Sequence, residues 1–150
     1  MKDHSSPDIS KMLKIIITLY FVTITHCQNE DQGAQSKIRG VFNSYKNECI
    51  EKSKVEPGLV DQLLADVHSP KSEELKCYIE CTLSKSNLVD KDLKLNSDEL
   101  KKIVPDESTS IANELTEDCE KVGSGSNCSK AYEILKCLLT ELQTKFGVSV

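Results

Sequence analysis

The chain has 150 residues, with 24 acidic and 19 basic side chains and a formal net charge of −5 at pH 7. This length suits one domain. An acidic chain without a basic cluster argues against nucleic acid as a partner and against tight binding to anionic membranes.

The N-terminal region predicts a secretory signal peptide. An apolar run extends from Ile15 to Ile24, directly after Lys14. The run is shorter than the ~20 residues that span a bilayer, but it suits the core of a signal peptide. The alternative is a buried segment of the fold, against which stands the sharply polar sequence that follows at once.

The signal peptide is expected to end at Cys27, which is small enough for the last position before a cleavage site. Residues 1–27 are then removed, and residues 28–150 form the mature domain. Whether translation starts at Met1 or at Met12 stays open. We expect the mature protein to be secreted, with no stable membrane insertion.

The mature sequence predicts helices with short breaks, because it has almost no alternating β pattern and no hairpin signal. The first predicted helix runs from Ser36 to Lys52 and is followed by a break at Pro57-Gly58. The second covers "LVDQLLADV" and is ended by Ser69-Pro70, and the third begins at Ser72. A short fourth helix is capped at Ser97 and closed by Pro105, a fifth begins at Ser108 or Ser110, and the last runs from about Ser129 to Phe146. On the second helix the apolar stripe consists of Leu59, Leu63 and Val67. The apolar stripes of the helices, taken alone, favour a helical domain with a solid core.

Six of the seven cysteines remain after cleavage at Cys27. An even number in an oxidising compartment predicts disulfides. A zinc site is not expected, because the mature chain keeps only one histidine, His68, and lacks paired CxxC motifs. Cys77 and Cys81 lie at i and i+4 of a helix, where Cβ atoms are about 5–6 Å apart. A disulfide needs about 3.5–4.5 Å, so these two cysteines should bond different partners.

The cysteine spacing resembles that of a known family. Between successive cysteines lie 27, 3, 37, 8 and 8 residues, which is similar to the signature of insect pheromone-binding and general odorant-binding proteins. The stretch "CYIECTLSKSNLVDKDLKLNSDEL" also looks like their third helix and following loop. The resemblance implies an all-α fold, a compact bundle of about six helices held by three interlocked disulfides around a hydrophobic cavity. It implies the pairs Cys49–Cys81, Cys77–Cys128 and Cys119–Cys137.

The function implied by the resemblance is that of a secreted carrier without a cofactor. It would bind small hydrophobic odorants, pheromones or fatty-acid-like molecules in a pocket of about 300 Å³ or more. It would carry them through aqueous lymph to an olfactory receptor, as a monomer or a homodimer. The candidate ligand contacts, chosen from the apolar stripes, are Phe42, Tyr45, Leu63, Tyr78, Leu83, Leu115, Tyr132, Leu135, Leu138, Leu139, Leu142 and Phe146. The hydroxyls of Tyr45, Tyr78 and Tyr132 are the preferred polar anchors.

Other classes of function fit less well. No nucleophile, base and orienting acid occur in a recognisable arrangement, so we predict no enzyme. The segment that begins at Asp90 resembles a calcium loop only faintly, since Leu95 and Lys101 occupy positions that need glycine and glutamate. The remaining alternative is a secreted, disulfide-stapled signalling or venom-type protein that acts through its surface. For His68, a surface role is preferred to a pH switch.

Overall fold

The computed structural model describes residues 32–63, 65–68, 71–104 and 109–147. Within them the chain forms seven helices, which are α1 (Gln32–Ser44), α2 (Lys46–Ser53), α3 (Pro57–Gln62), α4 (Glu73–Lys85), α5 (Ser97–Ile103), α6 (Thr109–Cys119) and α7 (Asn127–Phe146). The one β pairing in this part of the chain is an isolated bridge between Val89 and Leu95. The prediction of an all-α fold is confirmed.

Several predictions fall on residues outside the described ranges. These are the signal peptide with its cleavage site, the Ser69-Pro70 helix end, Pro105 and Ser108. In the described part, no helix combines the length and the apolar character that a membrane crossing requires.

Polar side chains begin three helices. Ser72 begins α4 as predicted, and its Oγ accepts the backbone N–H of Leu75. Ser126 caps α7 in the same way, so α7 starts slightly earlier than expected. The predicted cap of α5 was wrong by one residue. Asn96, not Ser97, accepts the first free N–H groups, because its side-chain oxygen reaches two of them.

The first predicted helix is divided into two. Tyr45, with φ −112° and ψ 9°, separates α1 from α2. The second prediction also changes, because Pro57 begins α3 instead of acting as the break. Proline suits the first helical turn, where its fixed φ is favourable and its missing N–H leaves nothing unsatisfied. The break lies earlier, at Lys54, whose φ is 62°.

Helix α3 is shorter than predicted and presents a different face. It ends at Gln62, so Val67 and His68 lie beyond it, and His68 is exposed. The proposed stripe placed Leu59 inward, but Leu59 is 39% exposed while the neighbouring Val60 is buried. One residue of helix rotation is 100°, which is enough to exchange the two.

Three disulfides join four of the helices. Cys49–Cys81 links α2 to α4, Cys77–Cys128 links α4 to the start of α7, and Cys119–Cys137 links the end of α6 to α7. This is the pairing that the resemblance implies, with Cys77 and Cys81 bonded to separate partners. Each bond typically stabilises a fold by about 2–4 kcal/mol.

The centre of the core is the packing of α4 against α7. Tyr78, Ile79 and Leu83 of α4 are completely or almost completely buried, as are Ile134 and Leu139 of α7. These positions belong to the apolar stripes that the sequence predicts. The α4–α7 pair therefore forms a fixed wall for the interior space described next.

Candidate functional site

An apolar cavity lies between α1, α4, α5 and α7. The described side chains of its wall are all apolar. They are Ile38, Val41 and Phe42 of α1, Leu83 of α4, Leu88 of the loop after α4, Leu100 and Ile103 of α5, and Leu135, Leu138, Leu139 and Leu142 of α7. These side chains offer a ligand no hydrogen bond, so what they can do is bury hydrocarbon.

Helical spacing places the wall. The four leucines of α7 fall at i, i+3, i+4 and i+7, which forms one continuous stripe. Ile38, Val41 and Phe42 repeat the first part of that spacing on α1, and Leu100 and Ile103 on α5 are three residues apart. Each helix thus turns one apolar face to the same space.

The cavity has very little free volume. Its free volume is about 20 Å³, which is room for about one water molecule. Pockets for small molecules have about 300–1,000 Å³, so the expected volume is not present in this structure. The wall also contains five side chains that were not among the candidate ligand contacts: Ile38, Val41, Leu88, Leu100 and Ile103.

The structure divides the twelve candidate residues into two halves. Six lie in the cavity wall, namely Phe42, Leu83, Leu135, Leu138, Leu139 and Leu142. Six lie elsewhere in or against the core, namely Tyr45, Leu63, Tyr78, Leu115, Tyr132 and Phe146. Contact with a ligand stays a prediction for both groups.

The hydroxyls of the two buried tyrosines donate to backbone carbonyls, and neither tyrosine lies in the cavity wall. Tyr78 donates to the carbonyl of Phe42 at 3.2 Å, and Tyr132 donates to the carbonyl of Val67 at 2.8 Å. Burial raises the pKa of both hydroxyls. Tyr45 is half-buried at the α1–α2 break. These three tyrosines therefore do not supply a polar anchor inside the closed cavity.

The loop between α4 and α5 covers one side of the cavity with Leu88. Its shape depends on Asp90, whose Oδ1 accepts the backbone N–H groups of Asp92 at 2.8 Å and Lys94 at 2.9 Å. The hydrogen bond from Lys94 is the main reason that the pKa of Asp90 lies below its usual value. The loop is also tied to the end of α6, because the N–H of Leu95 donates to Glu120 Oε1 at 3.0 Å. In the segment that faintly resembles a calcium loop, the Asp90 carboxylate thus accepts hydrogen bonds from backbone N–H groups of its own loop.

A second space, a surface cleft of about 190 Å³, lies between α1, α3 and α4. Its floor is buried and consists of Phe42, Val60 and Tyr78. Its rim is exposed and mostly polar, and consists of Arg39, Asn43, Asp61 and Ala65. No sequence pattern predicts this cleft, because its residues come from three separate segments.

The chain is similar in sequence to known proteins. A sequence model of the PBP/GOBP family matches residues 26–141. General odorant-binding protein 69a of Drosophila melanogaster is 23% identical over 91 residues, which are 61% of this chain and 62% of that protein. The chain thus spans about three-fifths of the length of this curated relative.

Similar solved structures are also odorant-binding proteins. Odorant binding protein 5 of Apis mellifera has a TM-score of 0.57 at 21% identity, covering 74% of this chain and 93% of that one. Odorant binding protein 7 from Anopheles gambiae, solved with four disulfide bridges and in complex with an azo compound, has a TM-score of 0.54 at 25% identity, covering 76% and 89%. The medfly protein CcapOBP22/CcapOBP69a has a TM-score of 0.53 at 27% identity, covering 73% and 97%.

Proposed function

The chain belongs to the PBP/GOBP family, and we propose that it is a carrier of small hydrophobic molecules. The observation that supports this most directly is the apolar wall formed by α1, α4, α5 and α7. Burial of a ligand there is favourable by about 25 cal/mol for each Å² of apolar surface removed from water. The activity proposed is binding and release, without a chemical step.

Binding requires the nearly closed cavity to enlarge. The three disulfides hold α2, α4, α6 and α7 together, whereas α1 and α5 contain no cysteine. We therefore assign the opening movement to α1 and α5, which can move away from the fixed α4–α7 wall. The ligand replaces the contacts between side chains that the closed state makes across the cavity.

The setting of this activity follows from the family and from the predicted signal peptide. We propose that the protein is secreted after cleavage at Cys27 and delivers its ligand through an aqueous fluid to a receptor. The Anopheles gambiae protein, which has a similar fold, was solved in complex with an azo compound. This precedent supports an apolar ligand class for the present chain.

The test is displacement of a fluorescent probe from the oxidised mature protein, residues 28–150. The chain has no tryptophan, so phenylnaphthylamine supplies the signal. We expect a saturable, blue-shifted emission that long-chain alcohols displace. Leu138→Gln, which places an amide in the cavity wall, should weaken probe binding. Leu59→Gln, on the exposed face of α3, is the matched control and should leave binding unchanged.

The contrary result is equally specific. If the three disulfides form as described but no probe binds in a saturable way, the fold stands and the carrier function is wrong. Equal effects of Leu138→Gln and Leu59→Gln would place the probe outside the cavity described here.

A further inference from the structure

Phe42 lies between the apolar cavity and the surface cleft. Of the residues that the structure describes, it alone belongs both to the wall of the cavity and to the floor of the cleft. Its side chain is 5% exposed, and its ring meets the Tyr78 ring with 6.2 Å between the centroids. Displacement of this side chain would connect the cavity with the cleft.

The rim of the cleft contains an arginine, a residue type that is rare in this chain. Arg39 is the only arginine in the sequence, against 18 lysines, and it is exposed. Among the residues that the structure describes, the ion pair at this rim is Lys46 with Asp61. The charge of Asp61 is thus offset by Lys46, and none of the ion pairs between described residues includes Arg39.

Helix α1 places two polar side chains of the cleft rim next to Phe42. Arg39 precedes Phe42 by three residues and Asn43 by four, so the three side chains share one flank of the helix. The guanidinium group presents a planar fork of donors that matches a carboxylate. The Asn43 amide can donate a further hydrogen bond from the next turn. Polar groups therefore lie at the rim of the cleft, whereas the described side chains of the cavity wall are all apolar.

We propose that the cleft is the head-group site for a ligand with a carboxylate and a long apolar tail. The carboxylate binds to Arg39 and Asn43 at the rim, and the tail passes the displaced Phe42 ring into the cavity between α1, α5 and α7. This inference rests on the proposed carrier function and specifies its ligand. It also assigns Arg39 as the residue that distinguishes an acid from an alcohol of the same length.

The experiment compares dodecanoate with dodecanol as competitors for bound phenylnaphthylamine on the oxidised mature protein. At neutral pH the wild type should prefer dodecanoate by about threefold to fivefold, the size of an ion pair at an exposed site. Added salt should reduce that preference, because the rim charges are screened. Arg39→Gln should bring the ratio of the two affinities close to one, and Arg39→Lys should restore it only in part.

The matched control is Lys37→Gln. Lys37 lies on the same helix, is exposed and belongs to neither space, so its substitution removes the same charge and should leave both affinities unchanged. A second variant tests the route itself. Phe42→Leu keeps the wall apolar but shortens the side chain, and both ligands should associate with it faster than with the wild type.

The outcomes distinguish failure of the head-group site from failure of the carrier function. If both ligands bind and Arg39→Gln behaves like the wild type, the head-group site is wrong and the carrier function remains. If Lys37→Gln lowers the preference as much as Arg39→Gln, the preference reflects overall charge and the site is again wrong. If neither ligand displaces the probe from the wild type, the carrier function and this site both fail. An unchanged association rate in Phe42→Leu would overturn the entry route.

Discussion

The hydroxyl of Tyr78 on α4 donates a hydrogen bond to the backbone carbonyl of Phe42 on α1. That carbonyl lies in the last turn of α1, where the C=O groups lack partners within the helix. Since α1 carries no disulfide, this bond is one of the specific links that hold it to the cross-linked part of the molecule. The same contact positions the backbone of the residue that separates the cavity from the cleft.

Removal of this hydroxyl should loosen α1. We expect Tyr78→Phe to lower the free energy of unfolding by about 1 kcal/mol, the usual net value of a buried hydrogen bond, in urea denaturation. Tyr45→Phe is the control, because Tyr45 is half-buried and its hydroxyl has no hydrogen bond to a described residue. Equal losses in the two variants would mean that the Tyr78 bond contributes nothing specific.

Acid should weaken the loop that covers the cavity. The pKa of Asp90 is lowered, first by the hydrogen bond from the N–H of Lys94 and further by Asp92 N–H and the charges of Lys94 and Lys91. A carboxyl group whose pKa is lower in the folded state stabilises the fold fully above its unfolded-state pKa of about 3.9. That stabilisation disappears as the pH falls through the lower folded-state value.

The measurement is the free energy of unfolding across a pH series from neutral to about 3. Asp90→Asn should be less stable than the wild type at neutral pH, and the difference should shrink as the wild type loses its own carboxylate. Asp92→Asn removes the same charge two residues away without removing the acceptor for the two amides, so its curve should stay parallel to the wild type. A constant difference for Asp90→Asn would contradict the assignment.

Replacement of glycine by alanine should change the melting temperature in opposite directions at two positions. Gly147 ends α7 with φ 64°, a conformation that costs an L-residue about 1 kcal/mol. Gly40 lies inside α1, and a methyl group there would meet nothing within 4 Å. Gly147→Ala should therefore lower the melting temperature, while Gly40→Ala should raise it by reducing the entropy of the unfolded chain. A decrease in both would show that α1 has a packing constraint absent from this structure.

The sequence predicted the framework of the fold well because its signals are local or discrete. The stripe on α7 and the cap at Ser72 depend on neighbours within one or two helical turns. The cysteine spacing carried the connectivity through the family resemblance. The break at Tyr45 and the inward turn of Val60 depend on tertiary packing, and no local pattern predicts them.

The candidate site was predicted only in part, for a related reason. A stripe shows which side chains are buried but not which space they face, so Leu115 and Leu139 look equivalent in the sequence. Both are buried, yet only Leu139 lies in the cavity wall. Leu100 and Ile103 belong to a seven-residue helix, which is too short for periodicity to mark its inner face. Leu88 lies in a loop with no periodicity at all.

That difference between Leu139 and Leu115 provides a direct test of the cavity. Truncation of either buried leucine to alanine should lower the free energy of unfolding by about 2–5 kcal/mol. Leu139→Ala also adds free volume to the one apolar space that a ligand is proposed to enter. Less of the closed packing must then be displaced, so the variant should bind phenylnaphthylamine more tightly than the wild type does.

Leu115→Ala is the matched control, since the new space on α6 lies outside the wall. It should show the same loss of stability without the gain in binding. Unfolding with and without probe, together with probe titration, measures both quantities on each variant, and bound probe should recover more stability in Leu139→Ala because a ligand stabilises only the state it binds. A similar gain in both variants would mean that general loosening of the core admits the probe, and the wall described here would not be the binding site.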